Sequence, residues 1–302
     1  MKFNPELIHK NVPVKHLVTF NLGGNADYFY SADCIEALCD AVDYAKKKNW
    51  PVFILGGGSN LVVSDKGIEG IVIHNQCEDI CQIDKEKNQI KISSGYLLSH
   101  LVDVALHEGL AGAESFAGIP GSIGGAICGN AGAYGKSISD ILVTADILTN
   151  DGKIQTVDKS FLQFEYRMSR IKREPMIVLS AVFQLQPGNK NEIKAKIDEI
   201  LEQRHSKHPN KGIGCAGSFF KNLPPAPGET RRQAAGMFLD KVGAKQMFVG
   251  GASVYEKHAN FIINKGNATA ADVKALAKLL KEKVKKELGI TLEEEVRYVG
   301  RE

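Results

Sequence analysis

Length, composition and charge exclude several classes of protein. The chain has 302 residues, of which 43% are hydrophobic and 24% charged. Both values are close to the globular average, so wholesale disorder is excluded, and the length suggests two or three packed units. Lysine and arginine number 38 against 35 aspartate and glutamate residues, a net charge of +3. This balance indicates neither a nucleic-acid partner nor a membrane surface.

Targeting and cysteine patterns place the chain in the cytoplasm. The N-terminal residues show no apolar stretch behind a basic flank, and the apolar runs are far shorter than the roughly 20 residues that span a bilayer. We therefore expect a cytoplasmic protein without a membrane segment. No Cys-x-x-Cys pair occurs, so we expect reduced cysteines and no bound metal. The cysteines stand at positions 34, 39, 77, 81, 128 and 215.

Helix and strand patterns alternate through the first third of the chain. Asp33 and Glu36 predict a capping box, and the helix behind them closes at the basic run 46–48. Short apolar segments predict buried strands over 52–55 and 71–73.

Strand patterns dominate the middle third. Alternation predicts a strand at 90–92, and apolar runs predict strands over 141–148 and 176–185. An amphipathic segment over 97–106 predicts a short helix.

The last third becomes helical. Apolar spacing predicts a helix over 193–204, followed by a proline-containing loop over 205–233. A longer helix is capped by Thr269 and Asp272 and stopped by Gly289. Its many lysines predict a solvated face rather than a nucleic-acid patch.

A first glycine loop follows a predicted buried strand. Without Cβ atoms the backbone N–H groups can approach an anion closely, as a pyrophosphate requires. A tight turn between strands is the alternative. The loop lacks the dinucleotide fingerprint, because Leu61 stands where the third glycine should be. Its residues are Gly56, Gly57, Gly58, Ser59 and Asn60.

A second glycine-rich stretch covers 118–135. Residues 130–137 nearly match a P-loop, but Asn130 replaces its first glycine and no strand leads into it. Two glycine loops in one chain suit a ligand with a long diphosphate and two ring systems. A purely structural role for these glycines stays open.

Three further motifs carry polar side chains. Ser218 lies among small and aromatic residues in 216–222, but this is no nucleophile elbow, and a turn hydroxyl is the alternative. The segment 166–170 reads by itself as solvated charge. Near the C-terminus, strand alternation predicts that Glu295 and Arg297 point to one face.

Taken in order, these motifs resemble the UDP-N-acetylenolpyruvoylglucosamine reductase (MurB) family over nearly the whole chain, about 19–300. The resemblance implies an α+β protein with the FAD-binding fold of the vanillyl-alcohol-oxidase (PCMH) type. It further implies two FAD-binding subdomains and a C-terminal α/β substrate-binding domain whose last strand returns to the active site. The implied bounds are 1–75, 76–188 and 189–302. The motifs are 52–60, 118–135, 166–169, 217–222 and 292–300.

The resemblance also implies a reaction. NADPH would reduce a non-covalent FAD, and hydride would then pass to the enolpyruvyl group of UDP-N-acetylglucosamine-enolpyruvate, giving UDP-N-acetylmuramate. The implied catalytic residues are Arg167 and Glu295, which stabilise an enolate, and Ser218, which donates the proton. This would place the chain in peptidoglycan precursor synthesis, and hence in cell wall biogenesis, cell shape and cell division.

Binding residues are implied in the same way. Lys221 and Asn222 match substrate positions, and Arg204 and Lys207 match positions for the nucleotide phosphates. A small-molecule substrate, a monomer and no nucleic acid are expected. The implied cofactor residues are Gly56, Gly57, Gly58, Ser59, Asn60, Pro120, Gly121, Ser122, Gly124, Gly125, Ala126, Asn130, Gly132, Ala133, Tyr134 and Arg297.

The chain departs from the family pattern in places. Asn25 and Leu223 stand where the family usually has proline, and the stretch 224–233 is longer than usual. The short spacing between Arg167 and Ser218 favours the shorter, second type of the family.

Two other functions stay open. Oxidases of the same flavin fold often tether FAD through a histidine in the first glycine loop, but this loop offers Ser59, and no histidine lies between 17 and 73. A binding module without chemistry would lack Ser218, Arg167 or Glu295, and all three are present.

Overall fold

The computed structural model describes residues 2–210 and 212–302. Its α-helices are α1 (Ile35–Lys47), α2 (Leu98–Glu108), α3 (Ile123–Cys128), α4 (Ile138–Ile141), α5 (Arg170–Arg173), α6 (Lys190–Lys207), α7 (Ala235–Lys241) and α8 (Ala270–Leu288). Short 3₁₀ helices cover Pro5–Leu7, Val14–Leu17, Glu114–Phe116 and Ala244–Gln246.

The strands are short and numerous. They are β1 (His9–Pro13), β2 (Asn25–Ala32), β3 (Val52–Leu55), β4 (Leu61–Val63), β5 (Ile68–Asn75), β6 (Cys81–Asp84), β7 (Gln89–Ser93), β8 (Leu110–Ala111), β9 (Gly132–Ala133), β10 (Lys136–Ser137), β11 (Leu142–Leu148), β12 (Ile154–Asp158), β13 (Ile177–Gln184), β14 (Gln186–Pro187), β15 (Gly214–Cys215), β16 (Leu223–Pro225), β17 (Arg232–Gln233), β18 (Phe248–Val249), β19 (Ala252–Tyr255), β20 (His258–Asn264) and β21 (Arg297–Val299). The predicted helices occur, and so do the predicted strands of the first two thirds, with ends shifted by a few residues. The strand expected to carry both Glu295 and Arg297 begins only at Arg297, and the predicted loop over 205–233 contains three short strands.

The chain divides into two compact units. Unit 1 comprises the chain up to Lys10 together with Tyr28–Gly57 and Gly70–Arg204. Unit 2 comprises Asn11–Asp27, Gly58–Glu69 and His205–Glu302. The first glycine loop therefore starts in unit 1 and ends in unit 2.

The first core of unit 1 forms where α1 packs near the parallel pair β3 and β5. Strand β3 pairs with β5 from Val52 opposite Ile71 onward, and α1 contributes the buried Leu38 and Val42. The predicted capping box at Asp33 is wrong. Residue Cys34 occupies the cap position and its side chain does not cap the helix, and the Ile35 N–H donates instead to Asp79 Oδ2 at 3.3 Å.

The second core of unit 1 lies on a five-stranded antiparallel sheet. Its strand order is β12-β11-β13-β7-β6, with Ala181 of β13 opposite Ala145 on one side and Ile92 on the other. Helix α3 packs against β13 and β7, and helices α2 and α6 contribute Leu101 and Ile197 to the same core. Unit 1 thus contains two separate apolar cores, and the three-part division of the chain stays a prediction.

Unit 2 is built on the antiparallel sheet β15-β20-β19-β18 and the long helix α8. The capping box of α8 is confirmed: Thr269 Oγ1 accepts from the Asp272 N–H, and Asp272 Oδ2 accepts from the Thr269 N–H, both at 3.0 Å. Asp65 adds a second cap, because its carboxylate accepts from the Ala270 and Ala271 N–H groups at 2.9 and 3.1 Å. Helix α8 buries one stripe of residues: Val273, Leu276, Ala277, Leu280 and Val284.

The exposed lysines of α8 and the cysteine thiols match the expectations from the sequence. Several lysines of α8 pair with glutamates on the same helix, as in Lys283–Glu287 at 2.7 Å, which confirms the solvated face. Within the described residues the six cysteines form no disulfide. Among the described residues, no helix is both long and apolar enough to cross a bilayer.

Candidate active site

In unit 1 the two glycine loops touch through their backbones. A Cβ atom on Gly57 would lie 2.8 Å from Gly121 Cα, and one on Gly56 would lie 2.3 Å from Ser122 Oγ. Real Cβ atoms do not approach other atoms so closely. The backbone contact therefore requires glycine at position 57, whereas position 56 faces the Ser122 hydroxyl.

The second loop is held by the segment just before α2. The Leu98 N–H donates to the Gly121 oxygen at 2.9 Å, and the Gly124 N–H donates to the Ser94 oxygen at 2.9 Å. Ser122 Oγ accepts from the Gly125 N–H at 3.3 Å. The path of this loop is therefore fixed before any ligand binds.

This cradle fits the diphosphate of FAD. Its donors are main-chain N–H groups beside small residues, together with the Ser122 hydroxyl. Such groups bind phosphate oxygens without the cost of desolvating a charged side chain. The residues that would line the diphosphate on this side are Gly56, Gly57, Pro120, Gly121, Ser122, Gly124, Gly125 and Ala126. Proline has no N–H, and the N–H groups of Gly124, Gly125 and Ala126 already donate within the protein, so those four residues would shape the cradle rather than donate to it.

The later part of the second motif is joined to Arg167. The guanidinium donates from Nη2 to the Gly132 oxygen at 2.7 Å, and Asn130 Nδ2 donates to the Glu165 oxygen at 2.9 Å. Asn130, Tyr134 and Arg167 have positive φ angles of 44°, 51° and 58°. Such a conformation costs a non-glycine residue about 1–3 kcal/mol.

The side chain of Arg204, a residue of α6, packs against the same loop in unit 1. A Cβ atom on Gly118 would be 3.0 Å from Arg204 Nε, so the side chain runs across this glycine. Burial lowers the pKa of Arg204, while a side-chain hydrogen bond with Tyr134 raises it. The residue predicted to hold substrate phosphates is thus packed against residues predicted to bind the cofactor.

In unit 2 a glycine turn, two buried aromatic residues and a backbone hydrogen bond hold the segment around Ser218 in place. Gly217 has φ +74°, a turn that favours glycine, and presents the half-buried Ser218. The next two residues, Phe219 and Phe220, are 0% and 1% exposed. The Glu295 N–H donates to the Phe219 oxygen at 2.8 Å, so Glu295 lies beside the predicted proton donor in the hydrogen-bonded backbone.

The end of the first glycine loop joins the same cluster. Asn60 Nδ2 donates to the Glu295 oxygen at 3.2 Å, and the Arg297 N–H donates to the Asn60 oxygen at 3.0 Å. Strand β21 then runs parallel to β4, with Arg297 opposite Leu61. Three motifs that are far apart in sequence therefore meet within unit 2.

The remaining predicted substrate residues are anchored differently. The Lys221 ammonium pairs with the Glu293 carboxylate. Asn222 Oδ1 accepts from the Ala235 N–H at 3.1 Å. Lys207 is exposed at the end of α6.

The unusual stretch after Asn222 is a β-hairpin. Leu223 pairs with Gln233 and Pro225 with Arg232. The Arg232 guanidinium donates from Nη2 to the Asn222 oxygen at 3.0 Å. The hairpin therefore supports the backbone of Asn222.

The predicted site residues are distributed over both units. Unit 1 holds Gly56, Gly57, Pro120, Gly121, Ser122, Gly124, Gly125, Ala126, Asn130, Gly132, Ala133, Tyr134, Arg167 and Arg204. Unit 2 holds Gly58, Ser59, Asn60, Lys207, Ser218, Lys221, Asn222, Glu295 and Arg297. Sequence reasoning assigned no role to Asn260 of β20, whose side chain binds the Phe220 backbone. Its one signal was a polar residue inside an otherwise apolar run.

Comparisons with known proteins identify related chains. Residues 208–299 match the family model described as UDP-N-acetylenolpyruvoylglucosamine reductase, C-terminal domain, and residues 26–158 match an FAD binding domain. A UDP-N-acetylenolpyruvoylglucosamine reductase of Listeria welshimeri is 40% identical over 97% of this chain and 95% of its own length. One of Clostridium botulinum is 36% identical over 97% of this chain and 93% of its own length.

A solved structure shows the same fold. The crystal structure of UDP-N-acetylenolpyruvylglucosamine reductase from Thermus caldophilus matches with a TM-score of 0.79 and 32% identity, covering 96% of this chain and 98% of that one. The predicted α+β, PCMH-type FAD-binding fold is confirmed. The chain therefore belongs to the UDP-N-acetylenolpyruvoylglucosamine reductase family of FAD-dependent oxidoreductases.

Proposed function

We propose that the chain reduces the enolpyruvyl ether of UDP-N-acetylglucosamine to UDP-N-acetylmuramate, with non-covalent FAD as cofactor and NADPH as hydride donor. The observation that carries this proposal is the likeness to named reductases, 40% identical, over 97% of the chain. The cradle of glycine backbones in unit 1 and the clamped serine in unit 2 are the features that this chemistry needs.

Bound FAD would supply the redox chemistry, with hydride coming from NADPH and going to the terminal carbon of the enolpyruvyl group. Negative charge then develops on the adjacent carbon and its carboxylate. Arg167 is our candidate for binding that carboxylate, because a guanidinium can hold it by two hydrogen bonds. Its strained φ of 58° and its bond to the Gly132 oxygen preorganise the side chain.

Ser218 is our candidate for the proton donor. A serine hydroxyl is a weak acid, so it protonates only a strongly basic carbon and must be held close to it. The positive-φ turn at Gly217 and the buried anchors Phe219 and Phe220 support such positioning.

Glu295 is our candidate for stabilising the enol by a hydrogen bond. Its N–H donates to the Phe219 oxygen and its oxygen accepts from Asn60, so its backbone is held on both sides. The side chain can therefore act without first having to be ordered.

Substrate recognition follows from the remaining cations and amides. We assign the nucleotide phosphates to Lys207 and Arg204, and the sugar side to Lys221 and Asn222. Because Lys221 already pairs with Glu293, an incoming anion would exchange for that carboxylate. Cofactor binding is assigned to Gly58, Ser59, Asn60, Arg297 and the glycine loops of unit 1.

The cellular setting is part of the same proposal. We propose a monomer acting in the cytoplasm in peptidoglycan precursor synthesis, and hence in cell shape and division. Sedimentation at several protein concentrations tests the monomer. Depletion in the host, followed by measurement of accumulated UDP-N-acetylglucosamine-enolpyruvate, tests the place in the cell.

Isotope labelling tests the reaction. The holoenzyme is supplied with UDP-N-acetylglucosamine-enolpyruvate and NADPH deuterated at the transferred position, and the product is analysed by mass spectrometry and NMR. We expect deuterium on the terminal methyl carbon, and in D₂O with unlabelled NADPH we expect it on the adjacent carbon. NADPH consumption without UDP-N-acetylmuramate would overturn the proposal.

A further inference from the structure

Asn260 is a buried polar residue at an irregularity of β20. Its side chain is in the core, with 3% of the residue exposed. Strand β20 pairs with β19 at Ile262 opposite Val254, and the register shifts before His258 opposite Tyr255. Bulges of this kind redirect a side chain out of the normal alternation of a strand.

The redirected amide binds the backbone of Phe220 twice. Asn260 Oδ1 accepts from the Phe220 N–H at 2.9 Å, and Asn260 Nδ2 donates to the Phe220 oxygen at 2.8 Å. The Asn260 main-chain oxygen also accepts from the Phe219 N–H at 2.8 Å. One side chain thereby takes the place of the peptide group that a neighbouring strand would offer.

The opposite side of the same segment is held by the C-terminal segment. The Glu295 N–H donates to the Phe219 oxygen, and the Lys221 N–H donates to the Glu293 oxygen, each at 2.8 Å. The segment that follows Ser218 is therefore fixed between Asn260 and the glutamates.

We infer that Asn260 is a positioning residue for proton transfer: its amide sets the backbone of Phe220 and so the location of the Ser218 hydroxyl. The inference rests on the proposed function, because Ser218 has a proton to deliver only in that reaction. Loss of the amide leaves a buried N–H and a buried carbonyl without partners, and the segment must shift to satisfy them. A misplacement near 1 Å can slow a positioned reaction about 100-fold.

The same strand offers a matched control. Asn264 is also buried, with 8% exposed, and its Nδ2 donates to the Phe20 and Asn21 oxygens at 3.2 Å. Asn264→Leu removes a buried amide of the same size without touching the Phe220 backbone. Asn264 Oδ1 also accepts from the Gly266 and Ala268 N–H groups at 2.8 and 2.9 Å, so Asn264→Leu loses at least as many buried hydrogen bonds. Slower reoxidation in Asn260→Leu alone therefore comes from its contacts with Phe220.

The experiment separates the two half-reactions by stopped flow. Holoenzyme variants Asn260→Leu, Asn260→Asp and Asn264→Leu are first reduced with NADPH and then mixed anaerobically with UDP-N-acetylglucosamine-enolpyruvate. We expect unchanged reduction in all three, and reoxidation slowed about 100-fold in Asn260→Leu only. Asn260→Asp keeps the acceptor for the Phe220 N–H, so its reoxidation rate should lie between those of wild type and Asn260→Leu. The solvent deuterium isotope effect on reoxidation should rise in both Asn260 variants.

Hydrogen exchange gives a readout that does not depend on the reaction. The Phe220 amide should exchange faster in the Asn260 variants than in Asn264→Leu. Equal reoxidation rates and isotope effects in Asn260→Leu and Asn264→Leu would overturn the inference, even if both were slow. If Asn260→Leu does not fold, Asn260→Asp decides: wild-type exchange and reoxidation in that variant overturn it. Failure of the wild-type enzyme to be reoxidised would instead overturn the proposed function.

Discussion

The side chain of Asn60 donates a 3.2 Å hydrogen bond to the main-chain oxygen of Glu295. The Asn60 oxygen accepts in turn from the Arg297 N–H at 3.0 Å. The last residue of the glycine loop thus holds the backbone at Glu295 and Arg297 in place. A cofactor loop and a proposed catalytic residue are coupled within one unit.

Asn60→Leu should disturb that coupling. It removes one partly buried hydrogen bond, worth about 1 kcal/mol in the free energy of unfolding, and frees the backbone of Glu295. We expect slower reoxidation by the enolpyruvyl substrate as well as lower stability, measured by stopped flow and urea unfolding. Asn25→Ala is the control, because its exposed bond to Asn11 should contribute less than about 0.5 kcal/mol. Equal effects of the two substitutions would contradict the coupling.

Ser218→Ala should separate the two half-reactions. NADPH should still reduce the protein at the wild-type rate, since no proton from Ser218 enters that step. Reoxidation by the enolpyruvyl substrate should slow by at least about 100-fold. Ser253→Ala provides the control, because its buried hydroxyl has no hydrogen-bond partner among the described residues. Normal turnover of Ser218→Ala would remove the serine from its role.

Gly57→Ala should weaken FAD binding. The new methyl group would lie 2.8 Å from Gly121 Cα, so the two loops must separate. We expect a protein that folds but is purified with less FAD and binds added FAD with a higher Kd, measured by quenching of flavin fluorescence. At Gly129 a methyl group would meet only an ordinary contact, 3.5 Å from the Gly125 oxygen. Gly129→Ala should retain FAD, and equal retention by Gly57→Ala would contradict the cradle.

Stability should fall as the pH drops below neutrality. Burial lowers the pKa of His258 below its ordinary value of 6.5. Below pH 6.5 the unfolded chain binds a proton that the folded chain excludes. The free energy of unfolding therefore decreases as the pH falls from 6.5 to the lower pKa of the folded state. Burial also lowers the pKa of His74, so both histidines contribute to this pH dependence of stability.

His258→Gln isolates one of these contributions. Urea unfolding of wild type and variant between about pH 7 and pH 5 should show a smaller loss of stability in the variant, which retains His74. Parallel curves would show that His258 does not contribute to the pH dependence.

Features that depend on contacts between residues close in sequence can be predicted from the sequence. The Thr269–Asp272 capping box was found because both partners lie within one turn. The predicted cap at Asp33 failed because Asp79, 44 residues away, binds the first N–H of α1, and distant partners leave no local pattern. Asn260 escaped notice for the same reason, since its partner is 40 residues away.

Motif order identified the family, but not how its residues are supported. Arg204 was predicted to bind substrate phosphates from its position in the chain alone. Its packing over Gly118 and its hydrogen bond with Tyr134 depend on how α6 returns to the glycine loop. Such a contact follows from tertiary packing, which one sequence does not reveal.

The visible spectrum of the purified holoenzyme under anaerobic titration tests the central claim most directly. We expect NADPH to bleach the yellow colour, and UDP-N-acetylglucosamine-enolpyruvate to restore it without oxygen. Recovery of colour only after oxygen is admitted would indicate an oxidase. A colourless protein that takes up no FAD would contradict the cofactor and the function together.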